Sequence, residues 1–223
     1  MDQPAKKKAR KPSKLRRSLI ISGVALVCCS AFGYANSRLY LFYPNFHTVV
    51  DKQVYRSARP NASRLHRWFQ QYGIQTVIDL ECGDDSDRPE MKALGIVELD
   101  IQWPSGRLPP TAKLRGLITA IETCPKPLLI HCRAGAERTG VASIIAAMAI
   151  GHQDYDTARQ QLSSKYFHVW HDPERAEGVV DVYENYCRAK HLSTGGWEQF
   201  RQWAMTVYDE PDVPESHHQA ARN

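Results

Sequence analysis

The chain has 223 residues, 43% hydrophobic and 24% charged, which is room for one substantial domain plus an appendage and excludes collagen-like, low-complexity and polytopic membrane proteins. The net charge of +5 misleads about partners, because residues 1–17 hold eight Lys/Arg and one Asp. The other 206 residues carry 21 basic and 23 acidic groups, so no nucleic-acid-binding stripe is expected on the body.

The basic run Lys6 to Arg17 precedes an uncharged stretch from Ser18 to Ser37. Twenty uncharged residues in a helix span roughly 30 Å, the thickness of a hydrocarbon core. Its apolar heart, Leu19 to Cys29, is shorter, so a cleaved secretory signal competes with a single-pass anchor, and Gly33-Tyr34-Ala35 supplies small residues for cleavage. A buried soluble helix and a nuclear address are the weaker readings. The long basic flank favours its own retention in the cytoplasm. The body is therefore expected outside the cytoplasm, periplasmic in a bacterium, either tethered or exported after cleavage.

Phe42 to Val54 reads as an entry segment ending in Tyr55-Arg56-Ser57-Ala58-Arg59-Pro60. Asn61 or Ser63 can cap a helix whose Leu65, Trp68, Phe69 and Tyr72 share one face, closed by Gly73. Thr76 to Leu80 reads as a buried strand, Glu81 to Asp87 as a polar loop, and Ile96 to Trp103 as a second strand. A Pro/Gly-rich loop, 104–110, leads to a helix from Thr111 that Pro125 and Pro127 stop. Leu128 to His131 is a short apolar strand, and Gly140 to Ile150 is apolar nearly all round, so it must be buried. Helices follow near 157–165, over 179–190 and over 197–208. Strands alternating with helices, then helices alone, predict an α/β fold: a central mixed sheet flanked by helices, with a helical C-terminal flank. The expected organisation is a basic segment 1–17, an anchor or signal 18–37, a catalytic domain 38–210 and a polar tail 211–223.

The informative segment is His131-Cys132-Arg133-Ala134-Gly135-Ala136-Glu137-Arg138-Thr139-Gly140, fed by a strand and left by a buried helix. Such a loop can turn successive backbone N–H groups inward as an anion nest on a helix N-terminus. Gly135 permits the curvature and Gly140 close helix packing. The helix dipole and aligned amides favour a thiolate at Cys132, a nucleophile directly beneath a bound oxyanion. Arg138 can fold its planar fork over the same anion. The Thr139 hydroxyl can stabilise the sulfur when it leaves. Nucleophile, amide cradle and guanidinium clamp together suit phosphoryl transfer through a cysteinyl-phosphate, with residues 133–137 lining the phosphate.

This Cys-x5-Arg-Thr pattern with a preceding His resembles the cysteine-dependent protein tyrosine phosphatases. Val54 to about Ile150 is similar to their dual-specificity branch, and Tyr55-Arg56-Ser57-x-x-Pro60 before a Thr-Val-Ile-Asp-Leu strand resembles the compact bacterial and fungal members. A rhodanese-type sulfurtransferase also uses a loop cysteine, but its loop is one residue shorter. The resemblance implies hydrolysis of phosphotyrosine, and of phosphoserine or phosphothreonine, on proteins, with no metal or organic cofactor. A lipid or inositol phosphate substrate is the alternative, and an acid-deficient phosphate-binding module the second. Relatives acting on inositol lipids tend to carry extra basic residues in the cradle, whereas Glu137 would repel a second phosphate.

The resemblance also calls for a carboxylic acid about thirty residues before the cysteine. The loop 103–110 has none, so Asp100 is the provisional acid, with Asp84, Asp85, Asp87 and Glu137 as further candidates. Some relatives place a second cysteine where Cys82 stands, able to bridge the nucleophile; a passive thiol is the other reading. The six cysteines show no zinc spacing, and His168-x-x-His171 alone makes no metal site.

Overall fold

The computed structural model describes residues 44–81 and 88–211. The chain divides into two units, Met1–Tyr43 and Pro44–Asn223, and the second carries every described residue. The segments 1–17 and 18–37, Cys82 and the carboxylates at 84, 85 and 87 lie outside the described residues, as does the tail after Pro211. Among the described residues no helix is long and apolar enough to cross a membrane.

Five strands form one sheet in the order β1-β2-β5-β3-β4: β1 (His47–Val50), β2 (Val54–Ala58), β3 (Thr76–Asp79), β4 (Val97–Asp100) and β5 (Leu128–Cys132). Only β1 runs antiparallel to its neighbour, so the sheet is mixed, as expected. The segment read as an entry is in fact a hairpin, and its second strand, β2, pairs along its whole length with β5. Polar Arg56 and Ser57 hide that strand from pattern reading, yet all five β2 residues are buried.

Seven α-helices flank the sheet in the described residues: α1 (Ala62–Tyr72), α2 (Arg88–Ala93), α3 (Thr111–Thr123), α4 (Glu137–Ala149), α5 (Tyr155–Ala158), α6 (Val179–Ala189) and α7 (Trp197–Thr206). Asn61 caps α1 by accepting from the Arg64 amide, and Gly73, left-handed at φ 66°, closes it. The predicted helix over 157–165 is instead one turn of α5 followed by 3₁₀ turns at Arg159–Gln161 and Ser164–Tyr166. The Gln161 carbonyl there accepts from Arg56 rather than continuing a helical ladder.

Strand alternation sends Leu128, Ile130 and Cys132 into the larger core with α3, α4, α6 and α7, and Leu129 into the smaller one under α1. Helix α4 is buried from Arg138 to Met148. Ile144, Ile145 and Met148 bury whole side chains, each contributing about 1.5–3 kcal/mol. The segment that leaves the cysteine loop is therefore a helix buried on every side among the described residues.

Candidate active site

Strand β5 ends at Cys132, residues 133–136 form the loop, and α4 begins at Glu137. No side chain caps α4 at Ala136, so its first N–H groups remain available to an anion. Gly135 sits at φ 69°, and a Cβ there would lie 2.5 Å from the Ala58 amide nitrogen. Gly140 packs against the turn after α5, where a Cβ would lie 2.4 Å from Leu162 Cδ2. Both glycines thus do what the sequence predicts.

The loop's carbonyls are held by groups the sequence analysis did not single out. Asn45 Nδ2 donates to the carbonyls of Ala134 and Gly135, both at 3.0 Å, and to that of Tyr166 at 3.1 Å. Arg56 Nη2 donates to Gly135 O at 2.7 Å and Ala136 O at 3.4 Å, and the Arg59 amide donates to Arg133 O at 3.4 Å. Since N–H and C=O of one peptide point oppositely, four outward carbonyls turn the amides of 134–137 the other way. Tyr55-Arg56-Ser57 is visible in the sequence, but nothing local shows that its arginine reaches 79 positions along the chain.

Arg138 is 8% exposed and docks one edge on the protein: Nη1 donates to the carbonyls of Leu80 and Trp103, each at 3.0 Å. Its Nε and Nη2 hydrogens have no acceptor among the described residues. A guanidinium fixed along one side offers the other as a bidentate fork for an oxyanion. Thr139 is fully buried, and its hydroxyl has no hydrogen-bond partner among the described residues. Arg133 is exposed, Ala134 half-buried, and Gly135 and Ala136 buried.

Register places Ser57, His131, Asp79 and Asp100 side by side across β2, β5, β3 and β4. By alternation this polar row lies on the opposite face of the sheet from Cys132. His131 Nδ1 stands 3.5 Å from Asp79 Oδ1, which accepts from the Glu81 amide at 2.8 Å. Burial pushes the Asp79 carboxyl up to about 6; the Glu81 amide and the Arg59 charge oppose that rise, and Asp100 and Glu81 add to it. A folded-state value above the unfolded one means stability is full below about pH 4 and declines as pH rises through about 6. Asp79→Asn is accordingly expected to be more stable than the native chain by about 1–3 kcal/mol at pH 7–8. The gain should vanish near pH 3.5, as thermal melts at both pH values would show.

The structure does not set Asp100 beside the cysteine. Strand β3 lies between β4 and β5, so Asp100 stands about two strand spacings, roughly 10 Å, from Cys132 in the sheet. It does share the C-terminal edge of the parallel strands with the loop, and its Oδ2 accepts from Gln102 Nε2 at 2.8 Å. In the 103–110 loop, Trp103 and Pro104 are buried and Ser105 and Gly106 exposed. Glu137 is half-buried in the first turn of α4, and burial, then the nearby Glu177 charge, raises its carboxyl above the usual range. His171 pairs with Asp181 and His168 stands 3.9 Å from Glu177. The described residues hold no group of three metal-ligating side chains.

A cysteine closing a buried parallel strand, a glycine-turned amide cradle and an arginine fork at a helix N-terminus define the cysteine-dependent phosphatases. The model described as "Tyrosine phosphatase family" matches residues 34–190, and the chain belongs to that family. Among solved structures, the core catalytic domain of the PP-IP phosphatase SIW14 from S. cerevisiae is 17% identical, with a TM-score of 0.53 over 69% of this chain and 96% of that one. TpbA of P. aeruginosa is 19% identical, with a TM-score of 0.51 over 73% and 91%. A putative phosphatase of Shewanella putrefaciens CN-32 is 16% identical, with a TM-score of 0.51 over 70% and 99%. At such identities the likeness is one of fold. No curated protein matches by sequence.

Proposed function

We propose that the protein hydrolyses phosphomonoesters through a cysteinyl-phosphate, with phosphotyrosine on proteins as its substrate. The observation that carries this reading is the pinning of four successive loop carbonyls by Asn45, Arg56 and the Arg59 amide, which turns the opposed amides of 134–137 the other way. The Cys132 thiolate attacks phosphorus, and the bond from phosphorus to the leaving oxygen breaks. The amides of the cradle residues Arg133 to Arg138 and the Arg138 fork carry the charge on the phosphoryl oxygens. A carboxylic acid gives the leaving oxygen its proton; Asp100, its provisional candidate, starts from the opposite face of the sheet and would have to reach round the C-terminal edge of β4 to do so. Water then attacks phosphorus, yields a proton to the same carboxylate, and the sulfur–phosphorus bond breaks with the Thr139 hydroxyl beside the departing thiolate.

Substrate class rests on the cradle's side chains and on a neighbour. Glu137 adds negative charge to the rim, which suits one phosphate better than several. TpbA has been solved as a cysteine-to-serine variant in complex with phosphotyrosine. The likeness to SIW14, a PP-IP phosphatase, favours an inositol phosphate as the second reading.

The test is a pH–rate profile with p-nitrophenyl phosphate and with an alkyl phosphate, alongside phosphotyrosine peptides and inositol polyphosphates. A working acid gives a bell for both simple esters. Negligible alkyl turnover would leave a phosphate-binding module instead. Cys132→Ser should lower aryl phosphate hydrolysis by about a thousandfold or more while tungstate still binds. Retained hydrolysis in that variant would remove the covalent route.

A further inference from the structure

Arg56 is 0% exposed, and among the described residues no carboxylate pairs with it. A guanidinium taken out of water without an anionic partner costs several kcal/mol, and the desolvation is felt as a fall to about 10 from its ordinary value. Its neighbours are instead neutral acceptors. Nη1 donates to Gln161 O at 2.7 Å and to Gln161 Oε1 at 2.9 Å, Nη2 donates to the Gly135 and Ala136 carbonyls, and the Tyr166 ring lies 4.1 Å from Cζ. The titratable and charged groups facing it are His47 from β1, Tyr166 and Lys165 from the second 3₁₀ turn, and Cys132 from β5. Burial and then the Arg56 charge hold His47 below its usual value, so His47 offers no counter-charge. Of these groups, only the Tyr166 hydroxyl and the Cys132 thiol are able to carry a negative charge.

We propose that Arg56 is a positioning residue whose buried charge has Cys132 and the bound oxyanion as its intended counter-ions, reached through the loop whose carbonyls it holds outward. The inference rests on the cysteine-phosphatase reading and assigns the electrostatic source beneath that site to a residue outside the signature loop. Arg138 offers its Nε–Nη2 edge to the oxyanion, whereas Arg56 polarises the loop peptides through the Gly135 and Ala136 carbonyls. Two cations separated by one strand of backbone then share the charge of a dianion, in a medium where each acts more strongly than in water.

The experiment compares the full chain with Arg56→Lys and Arg56→Met, reading tungstate affinity by calorimetry and Cys132 alkylation by iodoacetamide between pH 5 and 9, with circular dichroism as the check on folding. In Arg56→Met, alkylation at pH 6 should slow about tenfold and tungstate should bind about tenfold or more weakly. Arg56→Lys should keep the alkylation profile, because the charge persists, yet lose tungstate affinity, because an ammonium cannot span Gln161 and Gly135 together. If Arg56→Met does not fold, Arg56→Lys alone decides, and native tungstate affinity in it overturns the proposal. Folded Arg56→Met with native alkylation and native tungstate binding overturns it too. A native chain that neither binds tungstate nor hydrolyses aryl phosphate would instead fail the phosphatase reading itself.

Discussion

Arg138→Lys is expected to lower kcat/KM for p-nitrophenyl phosphate by about a thousandfold while leaving the melting temperature nearly unchanged. The reason is geometric. Arg138 is buried to 8% exposure and uses Nη1 alone to hold the Leu80 and Trp103 carbonyls, which leaves the Nε–Nη2 edge oriented and free for two phosphoryl oxygens. A lysine ammonium can satisfy the two carbonyls or face the substrate, and its single nitrogen cannot do both in a planar array. Because the two carbonyls remain covered by one N–H donor group, stability changes little. Steady-state kinetics and a thermal melt on the same preparation check both halves. A variant within tenfold of the native kcat/KM would mean that Arg138 is a structural strut between the β3 and β4 exits.

Gly135→Ala is the second large effect, and it acts through backbone. At φ 69° an L-residue is strained, and the new Cβ would meet Ala58 N and Ser57 C at 2.5 Å and Ser57 O at 2.6 Å. All three are main-chain atoms of a fully buried strand paired along its length to β5, so no side chain can swing aside. The loop must lift off β2, breaking the contacts of Gly135 O with Asn45 and Arg56. The expected outcome is loss of measurable hydrolysis and about 3 kcal/mol of stability, a fall in Tm of roughly 6–12 °C. Gly106→Ala is the matched control, since nothing lies within 4 Å of its added Cβ. Equal melts for the two variants would refute the close-approach argument.

The part of the site that could be read from sequence is the part encoded by neighbours. Cys132, Gly135, Arg138 and Gly140 lie within nine positions and between two apolar segments, so spacing alone implies strand, nest and helix. The alternation that buries Leu128, Ile130 and Cys132 on one side of β5 follows from the same short run. What stayed hidden is held by long-range contacts. Asn45 looks like a loop residue until its amide is seen bridging carbonyls 89, 90 and 121 positions away. Arg56 disguises a central strand as irregular chain, because a buried arginine is rare unless something distant receives it. The same distant pairing cut the helix predicted over 157–165, since Gln161 turns both of its oxygens to Arg56. The carboxylic acid is a different case. Loop 103–110 contains no Asp or Glu, and Asp100 stands one strand beyond β3 and on the opposite face of the sheet from the sulfur, so neither pattern nor described fold sets a carboxylate beside it at that position.

The outward carbonyls are received by Asn45, Arg56 and the Arg59 amide, and Asn45 and Arg56 are themselves tied to Tyr166 and Gln161. The set of the loop's peptides is therefore a property of the finished molecule, since Asn45 and Arg56 must meet partners as far along the chain as Gln161 and Tyr166 before those peptides are turned. By mass action, millimolar phosphate or tungstate should then protect remote α7 as well as the loop against unfolding. A chain emerging from the ribosome should gain its hold on phosphate only after residue 166 has joined the rest.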